Sequence, residues 1–151
     1  MRIAIGCDEA AFDLKEIIKQ MLIESGYQVD DFGTYDNKSV LYPDIAFLVA
    51  QSIADGKHER GILLCGTGIG MAIAANKVLG IRAAVCHDVY SAERACKSNN
   101  AQILAMGARI LGVELAKSLV DIWLKSEFKG GSSTEKIERI SAYEKRNVKK
   151  A

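Results

Sequence analysis

Histidine is scarce in this chain of 151 residues: His58 and His87 are the only two. No His/Cys pair has ligand spacing, so the donors for a side-chain metal centre are missing and no resident metal or cofactor is expected. His58, in the stretch DGKHE, reads as a surface-loop residue, and His87 as a polar group at the rim of a crevice. Apolar runs of membrane-spanning length are absent, and Met1 to Gly6 (MRIAIG) enter a strand pattern rather than a signal peptide. The four cysteines, Cys7, Cys65, Cys86 and Cys96, lack any Cys-x-x-Cys spacing. They read as free thiols of a reducing compartment, which makes a cytoplasmic location the expectation. Charge of one sign is also missing: the formal net charge is +1, so bulk electrostatics favour neither nucleic acid nor a membrane surface as partner. There is no linker, internal repeat or low-complexity segment, and the length suits one domain with a sizeable core.

What is present is a regular alternation of short apolar runs with helical patterns. Ile3 to Ile5, Gln28 to Phe32, Ile62 to Cys65, Ala83 to Cys86 and Ile103 to Ala105 read as five strands. Leu14, Ile17, Ile18, Met21 and Leu22 recur at helical spacing until Gly26. Pro43 opens a second helix with Ile45, Leu48, Val49 and Ile53 on one face. Strands alternating with helices predict an α/β fold: a three-layer α-β-α sandwich on a doubly wound, five-stranded parallel sheet (Rossmann-like), of order 2-1-3-4-5. Residues 1–130 form this domain. Residues 131–151 read as a C-terminal helical arm, opened by a capping box of Ser132 and Glu135 after Gly130 and Gly131. Its apolar stripe of Ile137, Ile140, Tyr143 and Val148 is too thin for a core helix and suits docking on a partner subunit.

The most informative stretch is Gly61 to Lys77 (GILLCGTGIGMAIAANK). An apolar strand runs into Cys65, then into glycines at 66, 68 and 70, then into a helix of small residues. Such a turn offers backbone N–H groups to an anion and places a thiol where the local field favours a thiolate. A dinucleotide cradle and a thiol active site compete for it. The glycines give Gly-x-Gly-x-Gly rather than Gly-x-Gly-x-x-Gly, in the third strand–helix unit rather than the first, although Asp88 lies at about the distance of a ribose-binding acid. A serine-hydrolase elbow is absent, and a Cys65–His87 pair stays open. Because ligands of parallel sheets bind beyond the carboxyl ends of the strands, Asp8, Glu9, Cys65, His87 and Arg109 are expected on one edge, and Asn99 and Asn100 within reach of it.

The motifs GCD at 6–8, DFGT at 31–34, Tyr42-Pro43, CGTGIGMAIAANK at 65–77, GIRAAVC at 80–86, ILAMGAR at 103–109 and WLKSEFKGG at 123–131 closely resemble the type B ribose-5-phosphate isomerase family. That family includes the galactose-6-phosphate isomerase subunits. The resemblance covers essentially the whole chain. It implies metal-free aldose–ketose isomerisation through a cis-enediolate, by moving a proton rather than a hydride, with ribose 5-phosphate/ribulose 5-phosphate, or a related sugar or sugar phosphate, as the substrate pair. It also implies a homodimer or homotetramer with sites shared between subunits. Carried over by position, Cys65 is the base, Thr67 assists ring opening, and the amides of Gly66, Gly68 and Gly70 hold the enediolate. Asp8 and Asn99 bind sugar hydroxyls, Tyr42 lines the pocket, and Arg109 belongs to the phosphate set.

The chain departs from the family at the recognition end. The histidine that follows the first-loop aspartate is Glu9 here, as in the A-type galactose-6-phosphate isomerase subunit, which lacks the cysteine retained in this chain. The ring-opening histidine of the His-Asn pair is Ser98. The two arginines of Gly-Gly-Arg-His-x-x-Arg, which reach a neighbouring subunit's phosphate, fall on Ser132 and Lys136. A carboxylate at position 9 repels phosphate, and Lys136 offers a point charge in place of a guanidinium fork. The expectation is an intact proton-transfer centre with altered specificity; the alternative is a non-catalytic sugar-phosphate-binding subunit.

Overall fold

The computed structural model of the protein describes residues 1–149; Lys150 and Ala151, the end of the expected arm, lie outside the described residues. Five strands, β1 (Arg2–Cys7), β2 (Gln28–Asp31), β3 (Arg60–Cys65), β4 (Ala83–Val85) and β5 (Ile103–Gly107), form one parallel sheet. Between and after them run α1 (Phe12–Glu24), α2 (Tyr42–Ala54), α3 (Ile69–Ala75), α4 (Val89–Lys97), α5 (Val113–Lys125) and α6 (Thr134–Val148).

Alternation along each central strand builds two cores. Ile3, Ile5, Ile62, Leu64, Leu104 and Met106 face Leu14, Ile18, Leu119 and Trp123 of α1 and α5. Ala4, Leu63, Cys65, Ile103 and Ala105 face Ile45, Val49 and Met71 of α2 and α3. On this second face α2 comes so close that a Cβ on Gly6 would lie 2.6 Å from Ile45, which is why β1 carries glycine there. The described residues contain no helix long and apolar enough to cross a membrane.

The strand order is β2-β1-β3-β5-β4, not 2-1-3-4-5. Burial explains the exchange: the five residues of β5 are all buried and fit a central position, whereas β4 is three half-buried residues and fits an edge. Other expectations also change. Leu48 is 51% exposed beside Phe47, so the buried face of α2 is Ile45, Ala46, Val49 and Ile53. His58 is buried rather than on the surface, its Nε2 2.7 Å from Asp30 Oδ2. The capping box at Ser132 does not form; Gly131–Ser133 is a 3-10 turn, and Ser133 stands at the N-cap of α6 with no side-chain bond. Within the arm Ile137 is buried, while Ile140, Tyr143 and Val148 are exposed.

Candidate active site

The chain reverses its direction of travel across the sheet between β1 and β3, and the crevice beyond their carboxyl ends is where open α/β sheets take ligands. Cys65 ends β3 there, almost buried, on the α2/α3 face. Its Sγ accepts the Gly68 N–H at 3.0 Å. Three glycines fix the turn by permitting contact on each side. Gly68 has φ +77°, and a Cβ on it would lie 2.9 Å from the Met106 backbone of β5. Gly107 meets the turn from the opposite side, its Cβ position 2.8 Å from Thr67 main-chain atoms. Gly70 sits under Tyr42, whose hydroxyl would be 2.5 Å from a Cβ there. Thr67 Oγ1 accepts the Ile69 N–H at 3.3 Å. Among the described residues the amides of Gly66 and Thr67 find no acceptor, so two adjacent donors stand open beside the thiol.

Charge enters from the neighbouring loops. Asp8 N donates to Leu64 O, and Asp8 Oδ1 accepts the Ala10 N–H at 3.0 Å. Burial and then the adjacent Glu9 push the Asp8 carboxyl up from its ordinary range. Glu9 is held below its range by its own amide and by that of Val40, which donates to Oε2 at 3.2 Å; the carboxylate thereby fastens the loop that leads into α2. Arg109, on the turn after β5, lies over Gly66: its Nη1 is 3.3 Å from the Cβ position there, and its charge acts on both Asp8 and Glu9. That adjacency depends on β5, rather than β4, lying next to β3.

Beneath the site Lys15 is fully buried, its Nζ bonded to both Asp31 oxygens (2.9 and 2.7 Å) and to Thr34 O at 2.6 Å. Thr34 N in turn donates to Cys7 O, which ties the segment after β2 to the end of β1 just before Asp8. Cys7 and Cys86 are inert by comparison with a working thiol, since burial pushes them up to about 12 and about 11.

Four residues singled out in the sequence lie elsewhere or make other contacts. His87 Nε2 accepts the Gly107 N–H at 2.9 Å, so the ring props the turn after β5. Asp88, the residue at ribose-acid spacing, caps α4 by accepting the Ser91 N–H at 2.7 Å. Asn99 lies at the wrong end of the sheet. The segment after α4 bonds to Arg82 and Gly61 through Gln102, at the amino edge, whereas Cys65 pairs with Gly107 at the carboxyl edge. Four strand steps, about 13 Å, separate those edges. Lys136 is not gathered at Cys65 either, because α6 is tied to the amino edge by Glu144, which accepts the Gly80 N–H at 3.1 Å. Arg94 carries no motif; its one sequence signal is the four-residue spacing to Ser98, whose hydroxyl it reaches.

A thiol, two open amides and a guanidinium at the switch point of a doubly wound sheet define a small α/β enzyme suited to removing a proton beside a carbonyl. The chain belongs to the ribose/galactose isomerase family, whose model matches residues 3–140. It is 58% identical to the D-erythrulose-4-phosphate isomerase of Pectobacterium atrosepticum, over 95% of each chain. It is 52% identical to the ribose-5-P isomerase B of Listeria innocua, over 97% of this chain and 99% of that one. Among solved structures, the Clostridium thermocellum ribose-5-phosphate isomerase B superposes with a TM-score of 0.96 at 48% identity, covering 97% of this chain and 99% of that one. The chain is accordingly a sugar-phosphate aldose–ketose isomerase.

Proposed function

We propose that this isomerase interconverts erythrulose 4-phosphate and the corresponding aldotetrose 4-phosphate, with Cys65 carrying the proton. The observation that carries the mechanism is the Cys65 thiol beside the open amides of Gly66 and Thr67. Cys65 as thiolate takes a proton from C1 of the ketose; the C–H electron pair becomes the C1–C2 double bond, and the carbonyl electrons pass to O2. The Gly66 and Thr67 amides receive that oxyanion, a contribution on the order of 3 kcal/mol for each well-placed donor. Return of the proton from Cys65 to C2, with the O1 proton passing to O2, gives the C1 aldehyde and the C2 hydroxyl and restores the thiolate. Asp8 and Tyr42 border the crevice and are assigned to the sugar hydroxyls and the pocket wall.

Ser98 supports the four-carbon choice. An aldopentose 5-phosphate closes to a furanose through its C4 hydroxyl and must be opened before C1 and C2 can react. In an aldotetrose 4-phosphate the C4 oxygen carries the phosphate, and no five-membered ring can form. A chain with serine at the place of the family's ring-opening histidine suits a substrate that is already open, and the erythrulose-phosphate isomerase at 58% identity agrees.

One protomer leaves this site incomplete, because Asn99 and Lys136 lie at the other edge. We assign the missing side to a second copy of the chain, seated on the exposed apolar face of Leu41, Phe47 and Leu48 with Ile69 and Ile73 of α3. Residues 131–149 act as an arm on that partner. Steady-state kinetics with erythrulose 4-phosphate and ribose 5-phosphate test the substrate. A kcat/KM at least ~10-fold higher for the tetrulose phosphate is expected, and a preference for ribose 5-phosphate would refute the assignment.

A further inference from the structure

The loop between β2 and α2 borders the crevice and is fastened at two points. At its start the buried Lys15 Nζ donates to Thr34 O at 2.6 Å. At its end Glu9 Oε2 accepts the Val40 N–H at 3.2 Å, and the Ser39 side chain and the amide of Glu9 itself also donate to that carboxylate. Among the described residues, the other hydrogen bonds of residues 36–41 stay local: Lys38 N donates to Asp36 Oδ1, and Leu41 O accepts the Asp44 N–H in the first turn of α2. Two residues after Val40 comes Tyr42, which opens α2. Its ring lies so close to Gly70 that the hydroxyl and Cζ would each be 2.5 Å from a Cβ there. Among the described residues the ring makes no hydrogen bond of its own, and Leu41 at the N-cap gives α2 no side-chain bond. Where the ring stands is therefore set by where α2 begins.

We propose that Glu9 is a positioning residue for chain-length specificity: by fastening Val40 it holds Tyr42 against Gly70 and limits the length of sugar phosphate that fits beside Cys65. This role rests on the isomerase and substrate reading given above, and three observations carry it. The first is the commitment of the carboxylate. Donors from two segments 31 residues apart converge on it, so it works as a brace rather than as a free surface charge. The second is place. Tyr42 covers the end of the turn whose open Gly66 and Thr67 amides receive the oxyanion, so a sugar chain leaving the reacting carbons on that side runs under the ring. The third is that nothing else ties the end of the loop except the half-buried Val40 side chain, packed against the α2/α3 core. Without the Glu9 bonds the ring is free to swing away from Gly70. A ketose one carbon longer needs that movement, and a tetrulose does not.

Three ketoses of increasing length test this role: erythrulose 4-phosphate, ribulose 5-phosphate and tagatose 6-phosphate, each assayed with wild type, Glu9→Ala and Glu9→Gln. In Glu9→Ala the kcat/KM preference for the shorter of each pair should fall about 10-fold, mainly through a lower KM for the longer ketose. Glu9→Gln keeps an oxygen for the Val40 amide and should hold the wild-type preference within about 2-fold, at low and high salt alike. Hydrogen exchange at the Val40 amide, read without turnover, should quicken about 10-fold or more in Glu9→Ala and not in Glu9→Gln. Tyr42→Ala should reproduce the change in preference, and the double variant should add nothing to it. An unchanged preference in Glu9→Ala, equal shifts in the Ala and Gln variants, or additive shifts in the double variant would each overturn the role. If wild type prefers ribulose 5-phosphate to erythrulose 4-phosphate while Glu9→Ala still shifts toward longer ketoses, the four-carbon reading falls and the role of Glu9 stands.

Discussion

The two edges of the sheet differ in how they are built. At the carboxyl edge, chemistry is held by main chain: a thiol bonded to an amide, a turn clamped between the β5 backbone and Tyr42, and glycines wherever a Cβ would collide. At the amino edge, contacts are held by side chains on a helix end: Arg94 Nε donates to Ser98 Oγ, and its carbonyl accepts the amides of Ser98 and Asn99. A backbone-built centre tolerates few substitutions because each displaces the turn. A side-chain-built subsite can be exchanged residue by residue without disturbing the fold.

The largest effect should come from the centre itself. Cys65→Ala is expected to lower kcat about 10³-fold with little change in melting temperature, read by coupled assay. Nearly full activity would remove the thiol from the mechanism. Gly68→Ala sharpens the claim that backbone contact sets the geometry. With φ +77° and the Met106 backbone 2.9 Å from the new Cβ, the turn must shift, and a kcat loss of about 10²-fold is predicted for a folded variant.

Below the site, Lys15→Ala strips the buried one of the two lysine partners from Asp31, leaving Lys19, and a loss of about 3 kcal/mol in urea unfolding is expected. The same pair has a pH signature. Burial pushes Asp31 up, but hydrogen bonds from Lys15 and Lys19 outweigh it and hold the carboxyl below its ordinary range. Its stabilising contribution is therefore complete above about pH 4 and lost as acidification passes through the folded-state value. Melting temperature followed from pH 6 to pH 3 should fall less steeply in Lys15→Ala than in wild type. The smallest effect is Glu9→Gln: with one carboxylate fewer near Arg109, KM for a phosphorylated substrate should fall a few-fold at low salt, and less at high salt.

Much of the carboxyl edge was legible in residue order, because strand, thiol, glycines and helix follow one another in the chain between Gly61 and Lys77. The five strands were legible for the same reason, as short apolar runs. What was not legible depends on distance across the fold. The exchange of β4 and β5 follows from which run is buried on both faces, a comparison that neither run reveals alone. His87 takes its role from a Gly107 amide twenty residues away, and His58 from Asp30. The edge that holds Asn99 was in principle readable, since a helix following a strand returns the chain to the amino end of a parallel sheet. The face of α2 that carries Phe47 and Leu48 was hidden because an exposed apolar residue has the same sequence pattern as one in the core.

The most direct measurement is deuterium incorporation from D2O into erythrulose 4-phosphate and ribose 5-phosphate by the same preparation, followed by NMR. Label is expected at C1 of the tetrulose phosphate, at least ~10-fold faster than label enters the pentose phosphate, and abolished in Cys65→Ala. Equal or faster labelling of ribose 5-phosphate, or label that persists without the thiol, would contradict it.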